Sequence, residues 1–411
     1  MARKKAAAAR LDSCGRKLNK GESQRADGRY VYQWTDAEKK RRSFYADTLQ
    51  DLREQEKQLE ADLHDGIRSE RPNVNAFYDL MMQQKTGLKE STRRTYIQTY
   101  DSFIRDGIGR RTAADIRPMD IEEFYSGILD DGNAANTLNR VHTVLNPCFN
   151  LAVENDYIRK NPCSGILTRV KNNHGCKKAK KKALSGRDVE RFLAFAETEK
   201  QGGAGFVPVI KVMLLTGCRI SEVLGLTMPD IDFKRGRIHV ERELIHQKAI
   251  KGIPAKWEIT VPKTDAGIRC VPMNKDCADA VRAAVMYRMK RGCTSTVDGV
   301  SNFVFVGRNG TVQDYHQVNR YIAKTIEQFN EHERAVAAAE GREADLMPDF
   351  TCHILRHTFA SQCIENDVNP KLLQQILGHA NASTTLDIYA EFRDDKLEQG
   401  FDEVKQIVKL A

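Results

Sequence analysis

The 411-residue sequence has no apolar run approaching the ~18 residues that a membrane span requires, so no transmembrane segment is expected. Its N-terminus is basic and alanine-rich but has no apolar stretch of the secretory kind, so a soluble, cytoplasmic protein is expected. Ten cysteines are present, yet none falls in a CxxC or other zinc-type spacing. That excludes a zinc finger read from spacing and favours buried or free thiols over disulfides. No internal repeat appears, and no acidic residue occurs between Arg169 and Arg187, where eight basic residues lie.

What is present suffices for real cores: 41% of the residues are hydrophobic and 29% charged, and the length predicts two or three domains. The net charge of +9 is unevenly placed. Residues 1–50 hold 13 Lys/Arg against 6 Asp/Glu, a local balance of +7. Two separate basic clusters suit a polyanion touched at more than one point, although a solvated surface and linker would look the same.

Residues 1–11 read as a basic arm. Tyr30, Tyr32 and Trp34 alternate with Val31 and Gln33 after the turn Ala26-Asp27-Gly28, and Arg41–Tyr45 can pair with them. A small sheet with basic and aromatic faces can enter a DNA groove; the competing reading makes the aromatics its core. Arg16, Lys17, Arg29, Tyr30 and Tyr32 are the candidate contacts. Residues 46–64 read as a helix, and Asp65-Gly66 with Arg71-Pro72-Asn73 as a linker.

Residues 74–165 are helical in pattern, with helices expected at 75–84, 89–105, 120–128 and 135–155. Arg93 and Arg94 lie where phosphates could dock. No acid or metal constellation occurs there, which points to a binding module. Residues 166–184 read as a basic linker whose Lys177, Lys178 and Lys180 lie against DNA or in solvent. From Ser185 the pattern is mixed: an apolar helix from Phe206, short strands near 238–243, 257–262 and 268–272, then helices from Lys275 and Asp314, with an exposed helical excursion at 332–344.

Chemistry-bearing residues concentrate late. Thr351, a good N-cap, opens a helix carrying His353 and Arg356 at i, i+3. Asn369-Pro370 opens a second helix that Gly378 stops, directly before His379. Ser383 opens a third segment carrying Tyr389. Upstream stand Thr216-Gly217-Cys218-Arg219 with Glu222 three residues on, and a strand turn beginning Val261-Pro262-Lys263.

Arg219, Lys263, His353-x-x-Arg356, Leu377-Gly378-His379 and Tyr389, in that order and spacing, resemble the tyrosine recombinases over residues 74–411. Gly21–Arg25 and Gly28-Arg29-Tyr30 resemble the arm-binding domain of conjugative-transposon integrases. The resemblance implies a multi-domain, mainly α chain with small β-sheets. Residues 1–70 would be a three-stranded arm-type DNA-binding domain, 74–165 a helical SAM-like core-binding domain, 166–184 a basic linker, and 185–411 an α+β catalytic domain. It implies Tyr389 as nucleophile forming a 3′-phosphotyrosine, Arg219 and Arg356 on the phosphate, and Lys263 as general acid. His353 would move a proton, His379 would bond a phosphate oxygen, and Glu222 would orient Arg219, leaving His357 structural.

No metal, ATP or other cofactor is called for, since side-chain cations stabilise the transition state and the phosphotyrosine conserves bond energy. Partners implied are double-stranded DNA at core and arm sites, three further copies in a homotetramer, and an excisionase or DNA-bending accessory protein, in a bacterial cytoplasm at the nucleoid. The segment Leu397–Leu410 would dock on a neighbour or on its own subunit. A type IB topoisomerase and a catalytically idle DNA-binding regulator are the competing readings. Two departures from the family pattern stand near Gly267, where the family often has a serine in the turn after the lysine, and near Glu391, where it often has a histidine after the tyrosine.

Overall fold

The computed structural model describes residues 10–36, 39–68, 70–176, 182–198, 203–262, 265–379, 381 and 386. The chain divides into two compact units, Met1–Lys178 and Ala179–Ala411.

The first unit begins with an antiparallel sheet of β1 (Glu22–Gln24), β2 (Tyr30–Thr35) and β3 (Arg41–Ala46), in that order, followed by helix α1 (Leu49–His64). Thr48 caps α1, its hydroxyl accepting from the Asp51 N–H at 3.1 Å. Strand alternation puts Tyr30, Tyr32, Trp34 and Phe44 on the face toward α1. Tyr30 packs with Leu18, Ala46, Leu49 and Leu52, while Tyr32 and Phe44 flank that core. Glu22, fully buried, receives two hydrogen bonds from Arg53 of α1 at 3.0 and 3.2 Å, which ties sheet to helix. The opposite face of the sheet carries Gln33, Thr35, Arg41, Ser43 and Tyr45, paired across β2 and β3.

A helical bundle follows: α2 (Val74–Gln84), α3 (Glu90–Phe103), α4 (Pro118–Asp130), α5 (Ala135–Glu154) and α6 (Ile166–Asn173). Its core is separate from that of the sheet and centres on Tyr78, stacked on Tyr100 with ring centroids 3.5 Å apart, together with Tyr125 and Phe149. Sheet module and bundle are joined by charge. Arg159 bridges Asp62 and Asp65 at 2.8 and 2.9 Å, and Arg68 lies over the Tyr157 ring. The expected linker starts too early. Ile166 and Val170, at i, i+4, are buried in the bundle core, so residues 166–173 belong to the bundle.

The second unit opens with α7 (Gly186–Thr198), α8 (Gly203–Thr216) and the short α9 (Ile220–Leu224). A three-stranded antiparallel sheet of β4 (Ile231–Asp232), β5 (Arg237–Val240) and β8 (Arg269–Pro272) follows. The hairpin β6 (Glu243–Gln247) and β7 (Lys256–Thr260) intervenes in the chain. Next come α10 (Lys275–Arg291), α11 (Tyr315–Glu340), α12 (Cys352–Glu365) and α13 (Pro370–Leu377). Helix α8 is the centre of this unit. Its seven buried apolar side chains between Val207 and Leu214 include fully buried Val209, Ile210 and Val212, and both α10 and α12 pack on it. The stretch 332–344 is helical and mostly exposed, as expected, as far as Glu340: it is the C-terminal part of α11, which buries only Ala337 there.

Candidate active site

Two left-handed glycines set the backbone of the site. Gly217 has φ +66° and ends α8, and a Cβ there would lie 2.4 Å from the Phe359 ring. It turns the chain so that Arg219 becomes the N-cap of α9. Gly378, also φ +66°, ends α13; a Cβ would meet the Ala266 carbonyl and Arg269 at 3.0 Å. It delivers His379, whose backbone is then held to Gln374 by two hydrogen bonds at 3.2 and 3.1 Å. No other residue accepts these conformations without strain.

Glu222 organises the first cation. Its side chain, with no exposed surface, accepts from the Arg219 N–H and Nη1, both at 2.7 Å. It also accepts from Arg269 Nη1 and Nη2 at 2.9 and 2.8 Å. Burial pushes the Glu222 pKa up most strongly, but hydrogen bonding and charge from Arg269, with the charge of Arg219, more than offset it. The carboxylate stays below its usual range.

Arg356, on α12, is buried and reaches across to two backbone carbonyls, Gly217 at 2.8 Å and Leu377 at 2.7 Å. It therefore braces both glycine turns. Burial, then repulsion from Arg219, lowers its pKa to about 10, so it remains a cation at neutral pH. Keeping that charge in place costs on the order of 3 kcal/mol, a strain that a bound anion would relieve. His379 is pushed down to about 4, by burial first and then by Arg356, Arg219 and Arg269. Its imidazole is neutral at pH 7 and able to donate or accept.

Unused donors separate these arginines by role. A guanidinium has five N–H groups. Among the described residues, the Arg219 side chain spends one, on Glu222, and Arg356 spends two, on carbonyls. Both keep donors for a ligand. The ionic groups acting most strongly on His379 are Arg356, Arg219, Arg269 and Glu222. Three guanidiniums against one carboxylate is a formal surplus of two positive charges (3 − 1 = 2), which suits a tetrahedral oxyanion.

Of the expected catalytic set, Arg219, Arg356 and His379 come together. His353 lies one turn before Arg356 on α12 and is exposed. Thr351 occupies the cap position of α12, but its hydroxyl does not cap. The Cys352 N–H bonds Asn319 Oδ1 of α11 at 2.9 Å instead, a tertiary substitute that sequence spacing cannot reveal. Lys263 and Tyr389 lie outside the described residues, as do Lys177, Lys178 and Lys180 and the segment Leu397–Leu410. Gly267, the departure noted above, has a reason: a Cβ there would fall 2.2 Å from the Pro262 Cβ. Arg269 is the site residue that sequence reading missed. Its only signal was its place in the strand following the lysine turn.

Two expected DNA contacts are corrected. Tyr30 is buried, its hydroxyl donating to Asp12 Oδ2 at 2.9 Å and accepting from Arg16 Nη2 at 2.6 Å, so it is core. Arg94 is also buried, with Nε on Glu90 Oε1 at 2.9 Å. Tyr32 is half-buried on the same face as Tyr30, stacked against Trp34, and burial raises its pKa. Arg16 is bound to Asp12, Arg29 is exposed and paired with Asp27, Lys17 is exposed, and Arg93 is half-buried.

The fold and these clustered arginines are those of a strand-transfer enzyme: the Phage integrase family profile matches residues 182–396, and the chain belongs to that family of tyrosine recombinases. A second profile, the DNA binding domain of Tn916 integrase, matches residues 6–63. The chain is 31% identical over 399 residues to the transposase from transposon Tn916 of Enterococcus faecalis, covering 93% of each. It is 26% identical to a XerC-like tyrosine recombinase of Caldanaerobacter subterraneus subsp. tengcongensis over 67% of each chain. Among solved structures it resembles the Tn1549 transposon integrase in complex with a circular intermediate DNA. That match has a TM-score of 0.68 at 27% identity, covering 80% of this chain and 99% of that one.

Proposed function

We propose that the chain integrates and excises a mobile DNA element by cutting and rejoining strands through a 3′-phosphotyrosine and a Holliday junction. The observation that carries the reading is the pair Arg219 and Arg356. Both are preorganised by buried partners, and among the described residues both keep unspent N–H donors beside the neutral His379. Such a site fits the non-bridging oxygens of a pentacoordinate phosphorus.

In this mechanism the Tyr389 oxygen attacks the scissile phosphorus, passing its proton toward His353, and the P–O bond to the 5′-carbon's oxygen breaks. Lys263 protonates that leaving oxygen, giving a free 5′-hydroxyl. Arg219, Arg356 and His379 hold the phosphate oxygens. Attack of a new 5′-hydroxyl runs the sequence backward and restores Tyr389. Exchange between two duplexes uses four active sites, hence a homotetramer. Residues 1–70 take arm sites, the bundle from residue 74 takes the core site, and the lysines 177, 178 and 180 track the backbone between them. On the sheet, the face turned away from α1, with Arg41, Ser43 and Tyr45, is the one that meets DNA. An excisionase or DNA-bending protein sets direction, and the reaction takes place in the bacterial cytoplasm at the nucleoid.

The test is a nicked suicide duplex spanning one end of the element that carries the gene. A covalent protein–DNA adduct is expected from the wild type and none from Tyr389→Phe. Absence of adduct from the wild type on its mapped site overturns the enzyme reading. Joint molecules from two duplexes distinguish recombination from relaxation of one.

A further inference from the structure

Arg269 differs from the other two arginines of the site in having no donor to spare. Its Nε donates to the Ile376 carbonyl at 2.5 Å. Nη1 donates to Glu222 Oε1 at 2.9 Å and to the Gly267 carbonyl at 3.1 Å. Nη2 donates to Glu222 Oε2 at 2.8 Å and to Cys218 Sγ at 3.8 Å. All five N–H groups are therefore taken by the protein, and the side chain is only 6% exposed. It cannot bind a phosphate without surrendering one of these bonds.

The five acceptors belong to three pieces of chain that must be in register for cleavage. Glu222 fixes Arg219. Gly267 follows Lys263 by four residues in the strand turn. Ile376 precedes the Gly378–His379 turn by two. We propose that Arg269 is a positioning residue for strand cleavage, locking the Glu222 carboxylate that holds Arg219, the turn after the general-acid lysine and the His379 turn into one arrangement. This deepens, and rests on, the recombinase reading above. Lysine cannot reproduce the lock, because one ammonium carries three donors on one atom and cannot span a carboxylate bidentately while reaching two carbonyls on opposite sides. Methionine would fill the space and leave Glu222 buried with Arg219 as its hydrogen-bonding partner.

The consequence is a change in pH dependence as well as in rate. Around Glu222 stand Arg219 at the start of α9, Arg269 on β8, Arg356 on α12, His379 after α13 and the Cys218 thiol. Glu243 on β6 also acts on Arg269. With Arg269 gone, burial drives Glu222 upward against less opposition. The carboxyl then protonates as pH falls, and Arg219 is released from its orientation.

The experiment is single-turnover adduct formation on the nicked suicide duplex, measured across pH 5–9 beside the DNA Kd, for wild type, Arg269→Met and Arg269→Lys. Misplacement of reacting groups by a fraction of an ångström predicts a loss of about 100-fold in rate for Arg269→Met at neutral pH, with Kd unchanged. The variant also gains an acid limb beyond that of the wild type, its rate relative to wild type falling as pH drops, and Arg269→Lys recovers part of both. A wild-type rate and profile in Arg269→Met overturns the proposal. So does equal loss of binding and cleavage with no recovery in Arg269→Lys, since that describes a fold-stabilising residue. Should Arg269→Met fail to fold, Arg269→Lys carries the test: a reduced rate with the acid limb supports the proposal, and wild-type behaviour overturns it. Failure of the wild type itself to form adduct is a different result and removes the recombinase reading instead.

Discussion

The sheet module and the catalytic unit both use arginine against DNA in this reading, but they hold it in opposite ways. On the sheet, Arg29 and Arg41 are exposed and touch exposed partners, Asp27 and Gln33. In the catalytic unit, Arg269 and Arg356 are buried, and the half-exposed Arg219 is gripped by a carboxylate with no exposed surface. Exposed guanidiniums give up solvent and weak surface pairs when DNA arrives, so they supply affinity that salt screens. Buried ones have already surrendered their solvent during folding. They supply little to affinity and much to a transition state that gathers charge.

The contrast breaks most sharply at Arg356. Arg356→Met should lower cleavage by about 1000-fold, near the upper end of what one preorganised donor contributes, while Kd for a core-site duplex stays near wild type. Equal loss of both in filter binding and adduct assays would make Arg356 a docking contact like those of the sheet. Next in size is Gly217→Ala. A side chain at φ +66° beside Phe359 should cost about 3 kcal/mol of stability in denaturant unfolding, and an unchanged midpoint would mean that the turn is not required.

The pH behaviour of His379 sharpens the comparison further. With its pKa lowered to about 4 from an ordinary 6.5, the folded state resists a proton that the unfolded chain accepts. The contribution to stability is present above pH 6.5 and is lost as pH falls from there toward 4. NMR titration of the imidazole should show the low midpoint in the free protein and an upward move on DNA binding, as phosphate offsets the arginines. A midpoint near 6.5 without DNA would disconnect His379 from the cluster.

The smallest effects concern the sheet. Arg41→Ala should lessen the slope of log affinity against log salt by about one for an arm-site duplex, leaving stability alone. Tyr30→Phe, which removes the buried bond to Asp12, should cost about 1 kcal/mol in thermal unfolding and leave arm binding untouched. If Tyr30→Phe weakens binding and Arg41→Ala does not, the DNA-facing side of the sheet has been assigned backward.

Reading of the sequence succeeded where chemistry is local and faltered where neighbours decide. The glycine stops at 217 and 378, the proline start at 370 and the strand alternation of 30–35 are legible because backbone conformation and residue type are linked within a few positions. Alternation itself does not say which face is core, and Tyr30 went inward because α1 lies on that side. Arg94 likewise looked like a phosphate ligand until Glu90 and the bundle enclosed it. Residues 166–173 read as linker because Arg169, Lys171 and the asparagines hide two apolar positions that matter only once α4 and α5 are present.

Sequence alone determined the family and the order of the candidate reacting groups, with the glycine turns before Arg219 and His379, since these depend on residue type and spacing. Tertiary structure decided which cations remain available to a ligand. Arg219, Arg269 and Arg356 are chemically identical in the sequence. Among the described residues they differ in how many side-chain donor bonds are already made: one, five and two. That count depends on carbonyls and a carboxylate brought from as far as 139 residues away, and no local rule encodes it.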